Sequence, residues 1–173
     1  MGHNHVVASR DLEGTVYVPE DLTRASFEVR IPVAKLTVDD AELRAQAGPD
    51  FPPVPDSAKE GTRRNMLSEA LLDAEHFPEI LLNSQRVDVT TPKDVLTQVQ
   101  VTVRDQNHTF TVPVHYELTA DALSASGELP LKHSELGLTP FSAMMGAMQV
   151  QDEMKVRFKL YFAASSASNA SAR

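Results

Sequence analysis

VLTQVQVTVRDQNHTFTVPVHYELTADALSASGELPL, residues Val95–Leu131, decides the fold through its alternation. In its first segment Val95, Thr97, Val99, Val101 and Val103 point one way, and Gln98, Gln100, Thr102 and Arg104 point the other. Phe110, Val112, Val114, Tyr116 and Leu118 make a second apolar face, and Leu123, Ala125, Gly127, Leu129 and Leu131 make a third. Period two over five positions marks a strand with one buried face, because successive side chains of an extended backbone project to opposite sides. The polar breaks Asp105-Gln106-Asn107 and Thr119-Ala120-Asp121 have the length that joins antiparallel neighbours. The three segments therefore read as a meander.

Outward from this stretch the same alternation returns. Met154, Val156, Phe158, Leu160 and Phe162 alternate with Lys155, Arg157 and Lys159, which gives a last strand. Upstream, Ile80 to Val89 is strand, with Leu81-Leu82 leaving its register open, and Thr91-Pro92-Lys93-Asp94 turns into the meander. Phe27, Val29, Ile31 and Val33 form another apolar face, with Pro32 placed at a strand end, an edge or a bulge. Leu12, Gly14, Val16 and Val18 form an earlier one, where Gly14 permits one bent strand or two short ones. Between strands, Asp39 to Ala47 reads as a helix capped by Gly48. A proline-rich loop follows, then a helix from Ser57, with Glu60 completing a capping box, to about Leu72. Lys132 to Gly137 reads as one helical turn. The sum is an all-β fold: an antiparallel up-and-down barrel of about eight strands with a helical excursion between strands, one domain over residues 1–164 and a disordered tail over 165–173.

Composition narrows the function. The net charge is −8, from 16 basic and 24 acidic residues, and no Lys/Arg run offers a phosphate-binding footprint, so nucleic acid is not an expected partner. There is no cysteine, hence no disulfide, thiolate nucleophile or cysteine metal site. No segment approaches the roughly 20 apolar residues of a membrane span. The beginning of the chain lacks the basic and apolar regions of a signal peptide, so the sequence as written reads as cytoplasmic, and as periplasmic if a signal precedes it.

Taken in order, several segments resemble the YceI-like family of lipocalin-like barrels. They are Gly2-His3-Asn4-His5 before a strand, Ala25-Ser26-Phe27-Glu28-Val29, Arg64-Asn65-Met66-Leu67, Leu72 to Ile80 with Asp73-Ala74-Glu75-His76-Phe77-Pro78 between them, Lys132 to Ser142, and Val150-Gln151-Asp152-Glu153. The resemblance covers nearly the whole chain. It implies a barrel that binds a polyisoprenoid, an isoprenoid quinone or a similar lipid, with no catalytic group and no cofactor other than that bound polyprenyl or quinone lipid. Family members usually carry a strand before the Gly-His segment, so a partner strand, as in a homodimer, is one way to complete the sheet.

On this reading the ligand lies among inward residues: Phe27, Val29, Ile80, Val99 and Val101 from the first half of the sheet, and Phe110, Val112, Leu129 and Phe158 from the second. Leu67, Leu71 and Phe77 line one mouth or pack a helix onto the sheet. Phe141, Met144, Met145 and Met148 form an adaptable thioether-rich loop that either contacts ligand or plugs the barrel. Rival readings are an enzyme for a small hydrophobic substrate with His5, His76 or His133 as base, and a strand-exchanging interaction module. Asp73-Ala74-Glu75-His76 and His133-Ser134-Glu135 also suit capping at helix ends and turns. His108 and His115 are expected in solvent. His3 and His5, two apart on an extended segment, put both imidazoles on one side and are weak candidates for a metal; Met1-Gly2-His3 is also a Cu(II)-chelating pattern at a free terminus.

Overall fold

The computed structural model describes residues 3–143, 145 and 148–165; Met144 and the expected tail beyond residue 165 fall outside that range. Among the described residues eleven strands and two α-helices run in the order β1 (Val7–Ala8), β2 (Glu13–Tyr17), β3 (Ser26–Pro32), β4 (Thr37–Val38), α1 (Ala41–Ala47), α2 (Asp56–Leu67) and β5 (Glu79–Thr91). There follow β6 (Asp94–Val103), β7 (Gln106–Leu118), β8 (Ala122–Lys132), β9 (Ser142–Ala143), β10 (Met148–Gln149) and β11 (Glu153–Ala163), giving 11 strands in all rather than a larger number of equal ones.

Seven of these strands form one curled antiparallel sheet in the order β11-β8-β7-β6-β5-β3-β2. The alternation predicted for Val95–Leu131 sets its register: Val99 faces Phe110, Thr97 faces Val112, and Val95 faces Val114. The ambiguity at Leu81-Leu82 is resolved by a bulge. Register shifts between Ser84 and Arg86, so that Leu82 pairs Val101 before the shift and Val87 pairs Thr97 after it, both on the inner face. An inserted residue changes the parity of the strand, which no uniform period could reproduce.

Between β6 and β7 the turn residues Arg104 and Asp105 both have positive φ, 50° and 58°. Two left-handed residues joining Val103 to Gln106 are the geometry that matches strand twist, but Asn-Gly is the sequence that adopts it without penalty. Asp105→Gly is therefore expected to raise stability by about 0.5–1 kcal/mol, measured as a higher urea midpoint at unchanged slope.

The expected closure is only partial. β2 and β11 are the outer strands of the sheet, and among the described residues no ladder joins them. The sheet is thus a half-barrel left open along one side, and its inner face forms a trough. One end of the trough is plugged by a core of Val33, Val38, Met66, Leu72, Val103 and Leu138. α2 carries Met66 into that core, although its cap differs from the expected one. Pro55 occupies the N-cap without a side-chain bond, which places Ser57 inside the first turn and leaves the Ser57–Glu60 box unformed. The helix also stops at Leu67, where Ser68 Oγ donates to the Asn65 carbonyl; Leu71 and Leu72 reach the core from the turns beyond. Residues 134–136 form the expected single turn, ended by Gly137 at φ 67°. A Cβ there would lie 2.5 Å from Gln106 Oε1, so glycine is required twice over.

Candidate functional site

The concave face is built by period-two patterning on successive strands. One row runs Val29, Leu82, Val101, His108 across β3, β5, β6 and β7. Leu129–Val156, Gly127–Phe158 and Ala125–Leu160 continue the face on β8 and β11. Phe158 lies against Gly127, where a Cβ would come 2.6 Å from the ring and 2.5 Å from the Pro113 carbonyl; the missing side chain makes room for the phenyl group.

Burial divides this face in two. Val29, Val99 and Val112 are fully buried. Phe27, Phe110, Leu129 and Phe158 are half-buried, as are all the inward residues of β11. Val101, Ile80, Leu67 and Leu71 pack against the plug. Phe77 is half-buried, with the Arg104 guanidinium 5.9 Å above its ring. Phe141, Met145 and Met148 are exposed, on and beside the small β9–β10 hairpin, so of the two readings open for this loop these residues do not form the plug. Phe27 also borders an open groove of about 380 Å³ at the sheet edge, with Val16 and Ser84.

His108 corrects a sequence expectation. It sits on the inward row, and its Nε2 is buried without a hydrogen-bond partner. His108 shares the parity of Phe110 and Val112 on β7, and Val101 lies directly across the ladder from it. His115 is exposed as expected and pairs with Asp94 at 2.8 Å.

A second cluster lies where β1 pairs with β4, at the start of α1. Asp39 is fully buried and has φ 55°. It accepts hydrogen bonds from the Val6 N–H at 2.9 Å and from Arg44, and its Oδ2 lies 2.7 Å from His5 Nδ1. Arg44, also buried, donates to the carbonyls of Asn4 at 2.7 Å and Pro52 at 2.8 Å. The His3 and His5 rings stand 4.6 Å apart at 60°. Sequence patterning offered His3 and His5 but not Asp39 or Arg44, since an acid before a helix and a base within it are ordinary helix chemistry.

Burial by itself would raise the Asp39 pKa, but hydrogen bonds from His5, Val6 and Arg44 outweigh it and hold the carboxyl below the usual aspartate range. Burial also pushes the His3 imidazole down, and the neighbouring His5 adds to that. A depressed carboxylate stabilises the fold fully above its unfolded pKa, near 3.9, and that stabilisation disappears as pH falls through the lower folded value. Stability is thus expected to fall below about pH 4. Asp39→Asn should flatten that part of a pH-dependent urea titration.

The other sequence-predicted histidines make local contacts. His76 is solvent-facing, and its hydrogen bond to Asp73 at 2.8 Å, reinforced by that residue's charge, raises its pKa. His133 donates through Nδ1 to the Asp152 carbonyl at 2.8 Å, while Ser134 donates to the Asp152 carboxylate.

A meander of this kind, curled around an apolar inner face and packed at one end by a helix, is a lipocalin-like half-barrel. The chain belongs to the YceI-like family: the model of the YceI-like domain matches residues 1–162. No curated protein matches it. Among solved structures it is similar to Burkholderia cenocepacia BcnA, at 18% identity and a TM-score of 0.67 over 90% of this chain and 86% of that one. It is also similar to a Campylobacter jejuni YCEI protein, at 8% identity and a TM-score of 0.68 over 96% and 88% of the two chains. At these identities the two structures speak for the fold. No helix among the described residues is long and apolar enough to cross a membrane.

Proposed function

We propose that this chain binds a long, mainly hydrocarbon ligand, such as a polyisoprenoid or the tail of an isoprenoid quinone, along the trough, and acts as a carrier or sequestering protein. The observation that supports this best is the unbroken apolar wall of β8 and β11. Leu129, Val156, Phe158 and Leu160 remain half-exposed on a concave surface while the opposite side of the same face is buried. Apolar surface held open in this way gains by being covered, at about 25 cal/mol per Å². Each buried methylene contributes about 0.8 kcal/mol, so several isoprene units offset the cost of association and leave roughly micromolar affinity. Hydrocarbon offers shape and length without hydrogen bonds, so selectivity for one chain over another is expected to be low.

Titration with a fluorescently labelled polyprenol tests the proposal. Saturable binding at one site per chain, competed by unlabelled polyprenol, is expected. Absence of saturation at 100-fold above roughly micromolar concentrations would overturn it.

A further inference from the structure

We infer that His3 and His5 form a binding site for a borderline divalent transition-metal ion, with Asp39 orienting His5. Ligating atoms of His3, His5 and Asp39 all lie within 4.8 Å of one another. The Asp39 carboxylate is already engaged by Arg44, by the Val6 N–H and by His5, so it is poorly placed to bind a metal directly. Its role follows from the 2.7 Å contact with His5 Nδ1. A carboxylate that accepts the Nδ1 proton fixes the tautomer and directs the Nε2 lone pair outward, as in carboxylate–histidine–metal triads.

His3 supplies the second nitrogen. It is exposed, whereas His5 is half-buried, so the His3 ring can turn towards its neighbour. Two nitrogens at 2.0–2.1 Å from a tetrahedral ion stand about 3.4 Å apart, a small closure for ligating atoms that already lie within 4.8 Å of one another. Arg44 makes the support rigid by tying Asp39, Asn4 and Pro52 together, and Asn4 lies between the two histidines. Imidazole donors without thiolate suit zinc, copper or nickel rather than calcium or magnesium. Two protein ligands leave the remaining positions to water or to an added ligand.

The test uses the full chain with an acetylated amino terminus, which removes the amine needed for chelation through Met1, Gly2 and His3. Zinc chloride is titrated calorimetrically in a non-coordinating buffer, with histidine ring signals followed by NMR. One zinc per chain is expected, in roughly the micromolar range, with the His3 and His5 signals moving together. His3→Ala and His5→Ala should each weaken binding at least tenfold, and Asp39→Asn about 10- to 100-fold. Because His3 is exposed, His3→Ala should keep the metal-free melting temperature, and it decides the matter if a variant at His5 or Asp39 fails to fold. No zinc bound at 200 μM, a value set at about 100-fold the low-micromolar expectation, or unchanged binding in His3→Ala, would overturn the inference.

Discussion

Arg44→Met is expected to destabilise the protein by about 3–5 kcal/mol, a fall in melting temperature of roughly 6–20 °C. The guanidinium is buried and holds three partners: the Asp39 carboxylate and the carbonyls of Asn4 and Pro52. Methionine keeps much of the side-chain volume but leaves a buried carboxylate with only His5 and the Val6 N–H as donors. An uncompensated buried charge costs far more than the ion pair contributes over an apolar replacement. The double variant Asp39→Asn/Arg44→Met should therefore recover part of the loss. Thermal and urea unfolding of the two variants measure the coupling, and a single-variant cost below about 1 kcal/mol would show that this network does not hold the start of the chain in place.

Leu129→Glu is expected to weaken hydrophobic-ligand binding by at least about a hundredfold, because a carboxylate on the trough wall must lose water when hydrocarbon covers it. Leu129 is half-buried and pairs with Val156, so the folded protein can keep the new charge hydrated when no ligand is present. Tyr161→Glu is the matching control on the other face of β11, where the side chain is 68% exposed. It should bind like the parent. Equal loss in both variants would point to electrostatic repulsion in general, and no loss in Leu129→Glu would place the ligand elsewhere.

The sheet was legible where one physical demand acted on each residue. Between Val95 and Leu131 every inward position except His108 is apolar or small, and the period survives intact in the register. Legibility failed where tertiary partners decided the outcome. The Ser84–Arg86 bulge reverses parity within β5 because the two halves of that strand must both face inward. Pro55 displaced the Ser57 cap although both residues suit a helix start. His108 looked polar and hence solvated, yet its ladder neighbours carry it inward. Of the second cluster, the two histidines were visible from their spacing. Asp39 and Arg44 were not, since only the β1–β4 pairing brings Asp39 against Val6 and His5. The candidate ligand residues were likewise chosen by face; of the two readings open for Leu67 and Leu71, packing is the one observed, since both lie against the plug.

The most direct measurement is organic-solvent extraction of the protein purified from cells rich in isoprenoid quinones, followed by mass spectrometry of the extract. A polyprenyl or quinone lipid recovered in near-stoichiometric amount, and depleted from Leu129→Glu prepared in parallel, is the predicted result. An extract of the parent protein holding no such lipid would contradict the account.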